Sequence, residues 1–152
     1  MLSKPKNGWT DFKLGKESYK LSYLTDVSMD WLESAIDGLK NTKPFVVRGF
    51  LEPWRVICVV SFWNVHLFVE SDEDDILDPN ESNYEIIHMN MIEFCEHLYN
   101  DINNNLQEWI NWFCDDEHDL DKREKELVKK IEELRKAIDK QKEYFSRSCF
   151  FL

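Results

Sequence analysis

From Val56 to Asp121 the chain carries no lysine and no arginine, while the same stretch holds 17 aspartates and glutamates. Residues 1–55 have 9 Lys/Arg against 7 Asp/Glu, and residues 122–152 have 10 against 6. The formal charge of −11 therefore comes from one block of sequence. A one-sign field of this kind repels nucleic acid and anionic membrane and attracts a basic partner. Glycine and proline are scarce, at 4 each in 152 residues, which excludes low-complexity linkers. The four cysteines, Cys58, Cys95, Cys114 and Cys149, are scattered without a CxxC pair. A chain of this length buries a core without staples, so free thiols in a reducing cytosol are expected. Met1 to Asn7 has basic residues but no apolar run behind them, so no secretory signal is expected. No stretch approaches ~18 uninterrupted apolar residues, so no membrane span is expected either. The expected location is the cytoplasm.

Also lacking are a Gly-rich phosphate loop, a G-x-S-x-G elbow, an H-E-x-x-H pair and a dinucleotide fingerprint. No catalytic residue, metal or cofactor is assigned. Carboxylates are abundant enough that any chosen pair is uninformative, which leaves an acid-pair hydrolase as an alternative to a binding role.

What is present points to a folded chain. Hydrophobic residues make up 43% and aromatics 14%, where disorder needs low hydrophobicity together with the charge. Trp9 to Leu14 and Tyr19 to Leu24 read as two strands joined at Gly15-Lys16-Glu17. Asp26 or Ser28 caps a helix with an apolar stripe of Trp31, Leu32, Ala35, Ile36 and Leu39, ended by Lys40, Asn41 and Pro44. Phe45 to Val47 and Val56 to Phe62 follow as strands. The second is apolar at both parities, as expected of a strand covered on both faces or central in its sheet. Trp63-Asn64 suggests a hairpin turn, with Asn supplying the positive φ and Val65 to Val69 returning. After residues 71–83, Tyr84 to Met89 gives a further strand.

Asn90 with Glu93 stands in the capping-box place of a long helix. Its face is Cys95, Leu98, Ile102, Leu106, Trp109, Ile110 and Phe113, and Asn103-Asn104-Asn105 is a weak patch where it bends. After a polar break, Asp121 caps a last helix with Leu127, Ile131, Leu134, Ile138 and Phe145 on one side. The expectation is one α+β domain over 1–152. A body over 1–120 has a mostly antiparallel sheet, one early helix and the first of two long C-terminal helices, and 121–145 form the second, amphipathic one.

Two acidic clusters stand out as partner-binding candidates: Asp72, Glu73, Asp74 and Asp75, and then Asp115, Asp116 and Glu117. A solvated loop is the plain alternative for the first. Calcium fits poorly there, because neither frame, from Asp72 or from Asp74, has glycine at its sixth position. The second cluster exceeds what a helix dipole needs. Cys95, His97, Cys114 and His118 have poor spacing for zinc, and a buried cysteine with exposed histidines is the expected reading. Cys149-Phe150-Phe151-Leu152 has the loose outline of a prenylation signal, against which stands an apolar tail packed on the body. Exposed aromatics near the carboxylates, among Trp54, Trp63, Trp109 and Trp112, suit a protein partner. Leu127, Ile131, Leu134 and Ile138 offer either a core stripe or a seam for a homodimer or another chain. The seam would make the chain a structural or adaptor protein, the alternative to binding a basic partner through the acidic clusters.

Three stretches carry a resemblance. They are Trp9-Thr10-Asp11-Phe12-Lys13-Leu14, then Leu24-Thr25-Asp26 leading into Trp31-Leu32-Glu33-Ser34-Ala35-Ile36, then Glu52-Pro53-Trp54-Arg55-Val56. Their order resembles small bacterial immunity proteins encoded beside polymorphic or contact-dependent toxins, over roughly residues 9–115. The final helix departs from that pattern, and no functional residue carries over. The resemblance implies neutralisation of a toxin by tight binding. Many such toxins are basic nucleases, and an acidic surface speeds encounter with them.

Overall fold

The computed structural model describes residues 1–71, 83–113 and 119–148. The fold is α+β, in the order β1 (Trp9–Lys13), β2 (Ser18–Ser22), α1 (Val27–Asn41), β3 (Phe45–Phe50), β4 (Trp54–Val60), β5 (Val65–Ser71), β6 (Asn83–Ile87), α2 (Met91–Asn103), α3 (Leu106–Ile110) and α4 (Leu120–Ser148). Both sheets are antiparallel. β1 and β2 form a hairpin, and β3-β4-β5-β6 form a four-stranded meander in sequence order.

α1 starts where its cap dictates. The Asp26 carboxylate accepts from the Met29 N–H at 3.2 Å, while Ser28 lies inside the helix and donates its hydroxyl to Asp26. α1 ends at Thr42, which takes a left-handed conformation with φ 48°. Its apolar stripe is fully inside: Trp31, Leu32 and Ala35 have no exposed surface. The Trp31 indole N–H cannot be buried without an acceptor, and it donates to the Arg48 carbonyl at 2.7 Å. That bond fixes the second turn of α1 over the later half of β3.

The β1–β2 hairpin also seats on the covered face of the meander. A Cβ built on Gly49 of β3 lies 2.6 Å from Leu21 of β2, so only glycine admits Leu21 this close. One buried cluster takes side chains from both sheets and all four helices, with Phe12, Trp31, Phe45 and Phe94 in ring contact at its centre.

Three expectations need correction. The helix expected from Asn90 through Phe113 is two pieces. α2 has the expected capping box, Asn90 with Glu93, but stops at Asn103, and α3 restarts after Asn105. The asparagine patch ends the helix instead of bending it, since Asn side chains compete for backbone hydrogen bonds. Asp119, not Asp121, caps α4: its carboxylate accepts from the Lys122 N–H at 3.0 Å, and Asp121 lies in the first turn. At the β4–β5 turn neither Trp63 nor Asn64 has positive φ. The connection has four residues and closes through the Ser61 N–H to the Asn64 carbonyl at 2.9 Å.

α4 runs alongside α1 in the same direction. Successive contacts are Arg123 to Asp26, Lys130 to Glu33 and Gln141 to the Leu39 carbonyl. Leu127, Leu134 and Ile138 are fully buried and Ile131 nearly so. Of the two readings of that stripe, the core is the one the fold displays, and the homodimer seam is correspondingly already covered by α1 and α2. No helix among the described residues is long and apolar enough to cross a membrane.

Candidate functional site

Strand alternation gives the meander two faces. Phe45, Val47, Val56, Cys58, Val60, Val65, Leu67 and Val69 point into the core. The residues between them form cross-strand rows on the other face. One row is Val46, Val59, His66 and Ile86; the next is Arg48, Ile57, Phe68 and Tyr84; the third is Phe50, Arg55 and Glu70. An antiparallel sheet with one wet face ordinarily reads polar there. Here most members of the first two rows are aliphatic or aromatic. Val46 is 39% exposed, and Tyr84 and Ile86 are each 48% exposed. Ile57, Val59 and Phe68, on the inner strands, are half-buried by their neighbours. Among the described residues, no helix or strand lies over this face.

The face is also ordered. The Tyr84 ring packs on Phe68 with centroids 4.8 Å apart and on His66 at 6.0 Å. The Tyr84 hydroxyl and His66 Nδ1 are 2.7 Å apart. Arg55 bonds the Glu70 carboxylate across the strands, which keeps this buried acid charge-paired. Arg48 stands exposed with no ion-pair partner among the described residues. His88 meets the Asn64 side chain at 3.0 Å, at the other end of the same strands.

All seven acidic candidates, Asp72, Glu73, Asp74, Asp75, Asp115, Asp116 and Glu117, lie outside the described residues, as do Cys114, His118 and Cys149. The places where these two segments join the fold are described. Ser71 ends β5 opposite Trp54, and Asn83 opens β6 opposite Val69. Both lie at the same end of the sheet as Phe50, the last residue of β3, two residues beyond the Arg48 carbonyl that anchors Trp31 of α1.

The second segment joins between Phe113 and Asp119, and its surroundings tie it to the start of α1. Arg123, only 7% exposed, donates to the Asp26 carboxylate, to the Ser28 hydroxyl at 3.1 Å and to the Trp109 carbonyl at 3.1 Å. Its guanidinium sits 4.9 Å from the Phe113 ring centre. Trp112 donates to the Thr25 carbonyl at 2.9 Å. Both acid-rich segments are therefore attached at one end of the fold, the end marked by the α1 N-terminus.

The Arg123–Asp26 network is absent from the sequence reading, though a signal existed. Arg123 precedes Leu127 by four residues, so it continues the stripe Leu127, Ile131, Leu134, Ile138 inward. A charge on a core stripe implies a buried partner. The open sheet face has no signal of its own in the sequence, because a strand apolar at both parities does not say which face is covered.

For zinc, Cys95 is buried and His97 exposed on α2, so the two do not converge. Among the described residues no group of three or more His, Cys, Asp or Glu is placed to hold a metal. Burial drives both the Cys58 and Cys95 thiols far above their usual range, which keeps them protonated and unreactive. Comparison with protein-family models, with curated proteins and with solved structures returns no match.

Proposed function

We propose that this chain is a cytoplasmic immunity protein that neutralises a basic toxin domain by direct binding, with no chemistry of its own. The observation that carries the reading is the common attachment of both acid-rich segments at one end of the fold, the first of them at the strand ends that border the open sheet face. Acidic residues gathered at one end raise the rate of encounter with a basic surface. An exposed apolar face supplies the dehydrating contact that long-range charge does not. In this reading Asp72, Glu73, Asp74, Asp75, Asp115, Asp116 and Glu117 steer, and Ile57, Phe68, Tyr84 and Ile86 hold.

The test uses the toxin domain from the adjacent reading frame and stopped-flow association. Replacing Asp72, Glu73, Asp74 and Asp75 together by lysine lowers the on-rate at low salt by about tenfold or more and flattens its salt dependence. Tyr84→Ala leaves the on-rate nearly unchanged and raises the off-rate. On-rates at low salt that ignore the fourfold reversal defeat the electrostatic assignment.

A further inference from the structure

The opposite end of the fold holds a cavity. The C-terminal turn of α1, the β4–β5 connection, the first turn of α2 and the last turns of α4 enclose a volume of ≈ 500 Å³. Its walls are Leu39, Phe62, Trp63, Met91, Ile92 and Phe145. Small-molecule sites are typically concave, largely apolar and roughly 300–1,000 Å³. Trp63 stands at the mouth with 73% of its surface exposed, an arrangement that a bound molecule relieves by covering the indole.

The polar groups on the wall decide what class of molecule fits. Gln141 already donates to the Leu39 carbonyl at 2.7 Å and is 3.4 Å from the Thr42 hydroxyl. Asn90 is closed in the capping box, exchanging two bonds of 2.9 Å with Glu93. Lys142, the wall's one charged side chain among the described residues, is ion-paired with Glu96. An anion entering the cavity has to compete with Glu96 for that ammonium, and a cation meets no free carboxylate. Either charge would be dehydrated without compensation.

We propose that this cavity is a binding site for a neutral, apolar small molecule with aromatic or cyclic-hydrocarbon character. Such a ligand stacks on Trp63 and Phe62 and needs no counter-charge. The site is distinct from the sheet face proposed for the toxin and does not depend on that reading.

The experiment titrates the full chain with N-phenyl-1-naphthylamine, a neutral dye that brightens in apolar surroundings. Saturable one-to-one binding is expected. The sulfonated analogue 8-anilino-1-naphthalenesulfonate, with the same ring system and a negative charge, binds about tenfold weaker or less. Ile92→Trp fills the cavity and removes the neutral dye's binding. Lys142→Trp, at a half-exposed position, does the same if Ile92→Trp does not fold; circular dichroism checks each.

Binding that does not saturate, that survives both filling variants, or that is equal for the two dyes overturns the proposal. So does dye binding by a chain ended at Ser148 when the full chain binds none, because the occupant would then be the chain's own end. Loss of dye binding as the protein is concentrated would name a second copy as the occupant and overturn it too.

Discussion

The two faces of the four-stranded meander are built from similar residues and meet opposite surroundings. Val56, Cys58, Val60, Val65 and Leu67 on one face are buried in the common core, on the side where α1 and the β1–β2 hairpin meet β3. Ile57, Val59 and Phe68, their immediate neighbours in sequence, face the other way and keep contact with solvent. Hydrophobicity alone therefore does not choose the covered face. Size and shape do: the covered face has glycine at 49, where Leu21 enters, and mostly valine and cysteine elsewhere. The open face carries the bulk, with Ile57, Phe68 and Tyr84 in one cross-strand row and Tyr84 packed on Phe68 and His66. Close approach of a second layer requires small residues, and the face that has them is the one that is roofed.

The largest break in this comparison comes from placing one charge on each face. Cys58→Asp buries a carboxylate with no partner, and the expected cost is several kcal/mol, enough to threaten the native fold. Val59→Asp, one residue on, places the same group on the open face beside His66, and stability changes by about 1 kcal/mol or less. Urea unfolding followed by tryptophan fluorescence measures both. Equal losses would mean that the open face is covered in solution.

Much of this arrangement was legible in the residues, and what was not has physical reasons. The α1 stripe, a cap at Asp26 or Ser28, the capping box at Asn90 and the hairpins β1–β2 and β4–β5 all rest on local rules that the tertiary structure leaves intact. The run from Asn90 to Phe113 failed as one helix because an apolar stripe persisted across a patch whose side chains break helices. Periodicity reports which face is inside, not whether the backbone is continuous. The β4 strand was readable as central and not as one-sided, since pairing partners on each edge half-bury even its open face. Arg123 was hidden by its type: a charged residue is assigned outward by default, and only its place in the stripe with Leu127 said otherwise. The acidic candidates stand out in the sequence by charge count alone. Their points of attachment to the fold became visible only through long-range contacts such as Trp112 to Thr25.

A mid-sized effect sharpens the covered side. Leu67→Ala removes a fully packed side chain from the core face of β5 and lowers stability by about 2–5 kcal/mol, the range for buried leucine. The loss appears as a lower urea midpoint with an unchanged slope, because the cavity forms without unfolding the sheet. A loss under about 1 kcal/mol would show that α1 and the hairpin collapse onto the gap, making the roof softer than its contacts suggest.

The smallest effect is the most informative about function. Ile57 sits between Arg48 and Phe68 at the middle of the open face. Ile57→Thr keeps the β-branched shape that suits a strand and replaces an apolar tip with a hydroxyl, which open water can satisfy. If the face is wetted in the free protein, stability changes by about 1 kcal/mol or less, in the range of a single cross-strand pair. If the same variant loses about 2 kcal/mol or more, the hydroxyl has been buried without a partner and the face is dehydrated. Repeating the measurement at two protein concentrations separates the causes. A cost that grows with concentration places a second copy on the face, whereas a constant cost places part of the same chain there. A negligible cost leaves the face free in the unbound protein, which a partner-docking surface requires.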